Sequence, residues 1–435
     1  MLSDSRFKAS LLSRRTILGG GIAGVAAGLL PVPGLRNLAF AGPGPDRPLL
    51  IVVHLRGGCD GLNLISPASD PDFIEARASE LRVAVDGPDA GHALANGPDA
   101  KVDFRLHAQA GGMAELYQGG QLAFLHAVGL TDGTRSHFVA TDMIERGVAD
   151  AASLNRLNDG WLSRALAVDG PPRGLVAASA SGAVSGELAG LPSAIAVPSL
   201  DGGLAPPGGP QAAEVLKRLY AFTAGDVGVA GRDALGAMAT IDGRLPRDAQ
   251  GHIQGYQAEA HVDYGPAAEF GRPLKALAQL IKMDVGLQAA TVDIGGWDTH
   301  EYQPGRFRAA VDHLSNGLAQ FWNDMARYHD RMVLVTLTEF GRRLRSNKSQ
   351  GTDHGRAGVM AVLGGKVRGG RFYGAWPGMA PDKLDEGVDL AVATDYRRVL
   401  TEVLEMREGR RLPAIFPAYA YPGPLGLFGA LPTKA

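Results

Sequence analysis

Short, unbroken apolar runs, each followed by a polar loop rich in glycine, recur along the chain. Leu49-Leu50-Ile51-Val52-Val53-His54-Leu55 is the first, and its β-branched, non-alternating character suits a strand buried on both faces of a parallel sheet. Gly120 to Gly129, Gln288 to Ile294, Met332 to Leu337 and Gly358 to Gly365 repeat that character. Between them the spacing turns helical: Ser136 to Arg146, Leu274 to Met283 and Phe307 to Tyr328 bring apolar residues back every three or four positions. Strands alternating with helices predict right-handed crossovers and a three-layer αβα domain, a mainly parallel sheet with helices on both faces.

The stretch from about Asp150 to Lys275 breaks the rhythm. Small and polar residues dominate it, Gly202-Gly203 and Pro206-Pro207-Gly208-Gly209-Pro210 punctuate it, and no internal repeat is visible. It reads as an inserted cap region that shapes substrate access.

The first 41 residues read as an address label rather than as fold. Ser13-Arg14-Arg15-Thr16-Ile17-Leu18 carries paired arginines, a glycine- and alanine-rich apolar run follows, and Ala39-Phe40-Ala41 has the small-x-small form that signal peptidase cuts. This is the pattern of a twin-arginine signal, with the twin-arginine translocase as partner during export and a periplasmic or secreted destination. The apolar run is shorter than the ~20 residues that span hydrocarbon, so no stable membrane anchor is expected after cleavage. The remaining chain, 42–435, is long enough to bury one large α/β core.

Charge narrows the partners. Removal of residues 1–41 takes away five of 43 basic and one of 45 acidic side chains, and 38 against 44 is a balance that argues against nucleic acid. Cys59 is the one cysteine, so no internal disulfide forms; a small buried apolar role suits it better than a catalytic thiol.

Candidate chemistry sits in the loops that follow the strands. Arg56-Gly57-Gly58-Cys59-Asp60-Gly61-Leu62-Asn63 puts a carboxylate among glycines at the end of the first strand, where open α/β sheets place their ligands; a turn aspartate is the plainer reading. Gly295-Gly296-Trp297-Asp298-Thr299-His300, Thr338-Glu339-Phe340-Gly341-Arg342 and Gly351-Thr352-Asp353-His354-Gly355-Arg356 supply carboxylates and imidazoles in the same setting. Mixed oxygen and nitrogen donors suit zinc, manganese or iron better than calcium. Ser136 stands at a helix start, where backbone N–H groups and the helix dipole favour an anion.

Taken together and in order, the arginine signal, RGGCDGLN, RSHF at Arg135 to Phe138, GGWDTH, TEFGRR and GTDHGRAGVMAVLGG resemble the exported bacterial family known as domain of unknown function 1501, within the alkaline phosphatase and sulfatase-like superfamily. The resemblance covers essentially the whole chain after the signal. It implies an alkaline phosphatase-like core, one or two divalent metals, a hydroxyl nucleophile, and hydrolysis of phosphate esters in preference to sulfate esters, carried by a small molecule or a glycan. Asp60 resembles the first-strand metal aspartate, Asp298 and His300 an aspartate-histidine pair on one metal, and His354, with Asp353 beside it, the closing histidine motif. Ser136 resembles the nucleophile, with Thr134 a second choice.

The chain departs from the superfamily at Glu339-Phe340, which stands where Asp-His is usual. Glu339 can still bind a metal, but one imidazole is gone; His137 either replaces it or serves as a structural hydrogen-bond partner. Arg135 and Arg356 either grip an ester anion or serve in a salt bridge or on a solvated face. Formylglycine chemistry of the sulfatase type is not expected, since Cys59 lacks the Cys-x-Pro-x-Arg context. The departure also keeps open a second class, a non-catalytic binding or interaction protein of the periplasm that retains the fold.

Overall fold

The computed structural model describes residues 47–172, 174–412 and 415–429. The expected signal, residues 1–41, lies outside them. Among the described residues no helix is long and apolar enough to cross a membrane.

The architecture is mixed α/β around a mainly parallel sheet. In chain order its strands are β1 (Leu49–Leu55), β2 (Leu122–Gly129), β3 (Ala177–Ser179), β4 (Ala194–Ala196), β5 (Ala289–Ile294), β6 (Met332–Leu337), β7 (Gly358–Gly364), β8 (Phe372–Tyr373) and β9 (Thr394–Asp395). Across the sheet they run β8-β2-β7-β6-β1-β5-β3-β4, with β9 also paired to β2. β1 lies between β5 and β6, parallel to both, with Leu55 opposite Ile294 and His54 opposite Leu337. β7 is antiparallel to both its neighbours.

The alternation of β1 explains why it must sit in the middle. Leu49, Ile51, Val53 and Leu55 point into one apolar core, Leu50 and Val52 into the other. The longer helices are α1 (Gly111–Gln118), α2 (His137–Arg146), α3 (Gly209–Phe222), α4 (Gly225–Arg244), α5 (Ala268–Lys282), α6 (Gln303–Asp324) and α7 (Tyr396–Glu408), and most of them pack on these two faces. α1, α5 and α6 cover the first through Met113, Leu277 and Leu318; α2 and α7 cover the second through Met143 and Leu400. α5 and α6 begin several residues before the apolar period becomes legible. Pro304 lies in the first turn of α6, where its missing N–H leaves no bond unmade.

The irregular stretch 150–275 is more than a cap. β3 and β4 extend the central sheet beside β5, and Trp161 and Leu162 are fully part of the second core. α3, by contrast, buries none of its residues.

Candidate metal centre

Strand direction brings the candidate loops together. β1, β2, β5 and β6 all end at one edge of the sheet, and the reversed β7 begins there, with Gly358 opposite Val128. The loops 56–60, 130–136, 295–302, 338–342 and 351–357 therefore share one rim. Their approach needs glycine. Gly57 has φ +123° and a Cβ there would run into the backbone nitrogen of Asp298; a Cβ on Gly351 would run into the carbonyl of His300.

At that rim His137, Asp298 and His354 bring one ligand atom each to within 4.8 Å of one another. His354 Nε2 stands 2.9 Å from His137 Nε2 and 3.3 Å from Asp298 Oδ1, and His137 Nε2 is 3.6 Å from the same oxygen. His300 borders the triad, its Nε2 2.8 Å from that of His354 and 3.1 Å from Asp298 Oδ1. Ligands of a tetrahedral zinc with bonds of about 2.0–2.1 Å lie roughly 3.3 Å apart, so the spacing fits a first-row divalent ion.

The other ring nitrogens fix the tautomers. His137 Nδ1 donates to Glu339 Oε1 at 2.8 Å, His354 Nδ1 to the carbonyl of Arg135 at 2.9 Å, and His300 Nδ1 to Asp353 Oδ1 at 3.3 Å. A carbonyl or carboxylate has no proton to give, so each neutral ring carries its hydrogen on Nδ1 and turns the Nε2 lone pair inward. Lone pairs facing one another and a carboxylate at such distances repel unless a cation stands among them. Metal-binding histidines are held in this way, with the remote N–H on an oxygen.

Electrostatics keep the donors in their binding forms. Burial opposes ionisation of Asp298, but the Arg342 guanidinium, 2.6 Å from Oδ1, together with His354 and His300, lowers its carboxyl to about 2. Burial and the charge of Arg342 push His354 below the ordinary imidazole value, favouring the neutral ligand. Burial also opposes ionisation of Glu339; backbone N–H groups and His137 outweigh it and hold the carboxyl below its usual value.

The structure distributes the other expected residues differently. Asp60 is fully buried, caps the turn at Leu62 and Asn63, and receives Arg77 at 2.5 Å and the Gln303 amide at 2.7 Å, so its charge is already matched away from the triad. Glu339 stands behind His137 as its orienting carboxylate, also accepting from the Gly57 N–H at 2.9 Å. Asp353 orients His300. Phe340 packs its ring 4.8 Å from His137 and 4.7 Å from His354, a dry backing for both imidazoles.

Ser136 precedes α2, exposed, with no capping bond from its hydroxyl. Thr134 Oγ1 accepts from its N–H at 3.2 Å. Arg135 turns its guanidinium to Asp389 at 2.5 Å and Glu386 at 3.0 Å, and Arg356 reaches the Thr131 carbonyl at 3.1 Å and Asp385 at 3.4 Å. Each keeps a buried Nε–H with no partner among the described residues. Cys59 is a buried free thiol, its ionisation opposed by burial.

Arg342 is the residue that sequence reasoning passed over. Its buried guanidinium donates to the carbonyls of Gly58 at 2.7 Å, Thr352 at 2.9 Å and Trp297 at 3.1 Å as well as to Asp298, tying three loops into one unit. A run of two arginines after a strand gives no sign of which one turns inward.

The family described as "Protein of unknown function (DUF1501)" matches residues 231–406. No curated protein matches the chain. Among solved structures, the C-terminal periplasmic domain of EptC from Escherichia coli in complex with zinc is similar at 7% identity and a TM-score of 0.34, over 73% of each chain. The lipoteichoic acid synthase LtaP of Listeria monocytogenes follows at 8% identity and 0.29, over 74% of this chain and 66% of its own. Thermus thermophilus alkaline phosphatase is similar at 14% identity and 0.27, over 72% and 64%. Likenesses this distant carry no argument about activity.

Proposed function

We propose that this chain, whose residues 231–406 match the family described as DUF1501, is an exported hydrolase of phosphate esters, dependent on a divalent metal held by His137, Asp298 and His354, with His300 as a further donor. The observation that carries this reading is the inward turn of the imidazole lone pairs, fixed by three oxygen acceptors on the outer nitrogens. A divalent ion bound there supplies Lewis acidity toward an ester oxygen.

The chain's own residues supply the rest. Ser136 is immediately before the ligand His137, and its hydroxyl has no capping bond to break, so it is available to attack phosphorus. Attack expels the alcohol and leaves a phosphoserine that water then hydrolyses. The first-turn N–H groups of α2 receive an anionic oxygen. Arg342 keeps Asp298 ionised and the rim rigid. Asp60 and Glu339 are matched by Arg77 and His137, which supports one metal rather than two.

Purified protein assayed on a panel of phosphate and sulfate esters tests the proposal. Turnover that disappears on chelation, returns with zinc or manganese and is lost in Ser136→Ala supports it. Full activity in Ser136→Ala refutes the serine nucleophile, and a metal-loaded protein inert on every ester favours a binding role.

A further inference from the structure

α7 borders a feature that the metal centre does not use. Beside it lies a cavity of about 330 Å³ lined in part by Glu405, Arg411, Phe416, Tyr419 and Tyr421. At roughly 30 Å³ per water it holds about ten waters, or one small organic molecule. α7 starts from β9 at the metal-site edge and ends with Arg407, whose Nε donates at 3.0 Å to the carbonyl of Pro48, just before β1. The cavity therefore lies toward the opposite edge of the sheet.

A buried carboxylate stands in its wall. The Glu405 side chain is 3% exposed, and burial pushes its carboxyl above the ordinary value while Arg411 pulls it back. Glu402, one turn earlier, is buried as well and accepts from the backbone N–H groups of Leu425 and Gly426. Arg411 meets Glu405 only at 3.4 Å, with 67% of its side chain in solvent. A long, mostly hydrated arginine held by so loose an ion pair costs little to displace.

The walls are aromatic, and two of them already face cations. Arg397 stands 4.5 Å over the ring of Tyr419, and Arg411 5.7 Å over that of Tyr421. The Tyr421 hydroxyl is buried without a partner among the described residues. Aromatic faces around a buried carboxylate select a weakly hydrated organic cation over a primary ammonium, which needs several acceptors for its N–H groups.

We propose that this cavity binds a free small organic cation of the alkylated ammonium class, which displaces Arg411 from Glu405 and lies against Tyr419, Tyr421 and Phe416. The proposal is independent of the ester chemistry. Calorimetric titration of the purified protein with choline and with its uncharged carbon isostere, 3,3-dimethylbutan-1-ol, tests it. Choline is expected to bind at least about tenfold more tightly than the isostere. Glu405→Gln should erase that preference, and Arg411→Ala should strengthen choline binding by vacating the carboxylate. Melting curves identify folded variants, and Tyr419→Ala replaces Glu405→Gln if the latter fails to fold. Equal binding of choline and isostere, or no choline binding by either wild type or Arg411→Ala, overturns the proposal.

Discussion

His137 Nδ1 lies 2.8 Å from Glu339 Oε1, so the residue that opens α2 is aimed by a carboxylate just beyond the end of β6. The Glu339-Phe340 pair stands where the sequence resemblance leads one to expect Asp-His. Its carboxylate orients an imidazole contributed from elsewhere, and its phenyl ring backs that imidazole.

Glu339→Gln tests this relation. The amide no longer fixes His137 as a lone-pair donor at Nε2, and metal affinity should fall by about 10–100-fold. Competition titration against a chromophoric chelator measures it; unchanged affinity would remove Glu339 from the account.

Arg342→Met should be among the most damaging substitutions in the rim. It removes the guanidinium from half-exposed Asp298 and the donor from the carbonyls of Gly57, Gly58 and Thr352, a loss of about 1–3 kcal/mol of stability for each carbonyl left without a partner. Urea unfolding reads the change directly, and a loss within experimental error would contradict the tie between the loops.

Asp324 gives a pH-dependent test away from the metal. It receives Lys282 at 2.6 Å, the hydroxyls of Tyr256 and Tyr264 at 2.7 and 2.8 Å, and the Glu259 N–H at 2.9 Å. Burial opposes its ionisation, but these donors hold the carboxyl below its ordinary value. A group whose folded pKa is depressed stabilises above its unfolded value, and that contribution disappears as pH falls through the folded value. Wild type should therefore exceed Asp324→Asn in urea midpoint at neutral pH, with the gap closing below about pH 4. A gap independent of pH would contradict the assignment.

The reading of residues 1–41 as a twin-arginine signal predicts that replacing Arg14 and Arg15 with lysine retains the precursor in the cytoplasm. Cell fractionation of the double variant reads the outcome, and normal delivery would refute the signal.

The strands were legible because runs such as Leu49–Leu55 are apolar at every position, which only burial on both faces requires. The reversal of β7 was not, since a doubly buried run has the same composition in either direction. β3 and β4 are too short to show a period, so the stretch expected as a cap concealed two strands of the main sheet. At the rim the sequence located the loops but not the duties within them. Asp60 and Asp298 both follow strands among glycines; one meets Arg77 and the sequence-distant Gln303, and the other faces the imidazoles. Likewise nothing local distinguishes a carboxylate that binds metal from one that, like Glu339, aims a histidine.

The most direct measurement is the metal content of the purified protein by inductively coupled plasma mass spectrometry, with His354→Ala alongside. About one equivalent of zinc, manganese or iron per chain in the wild type, and loss of most of it in the variant with the fold intact by circular dichroism, is the predicted result. A wild-type protein that stays metal-free after incubation with each ion, or a variant that retains the full equivalent, would contradict the metal centre at its root.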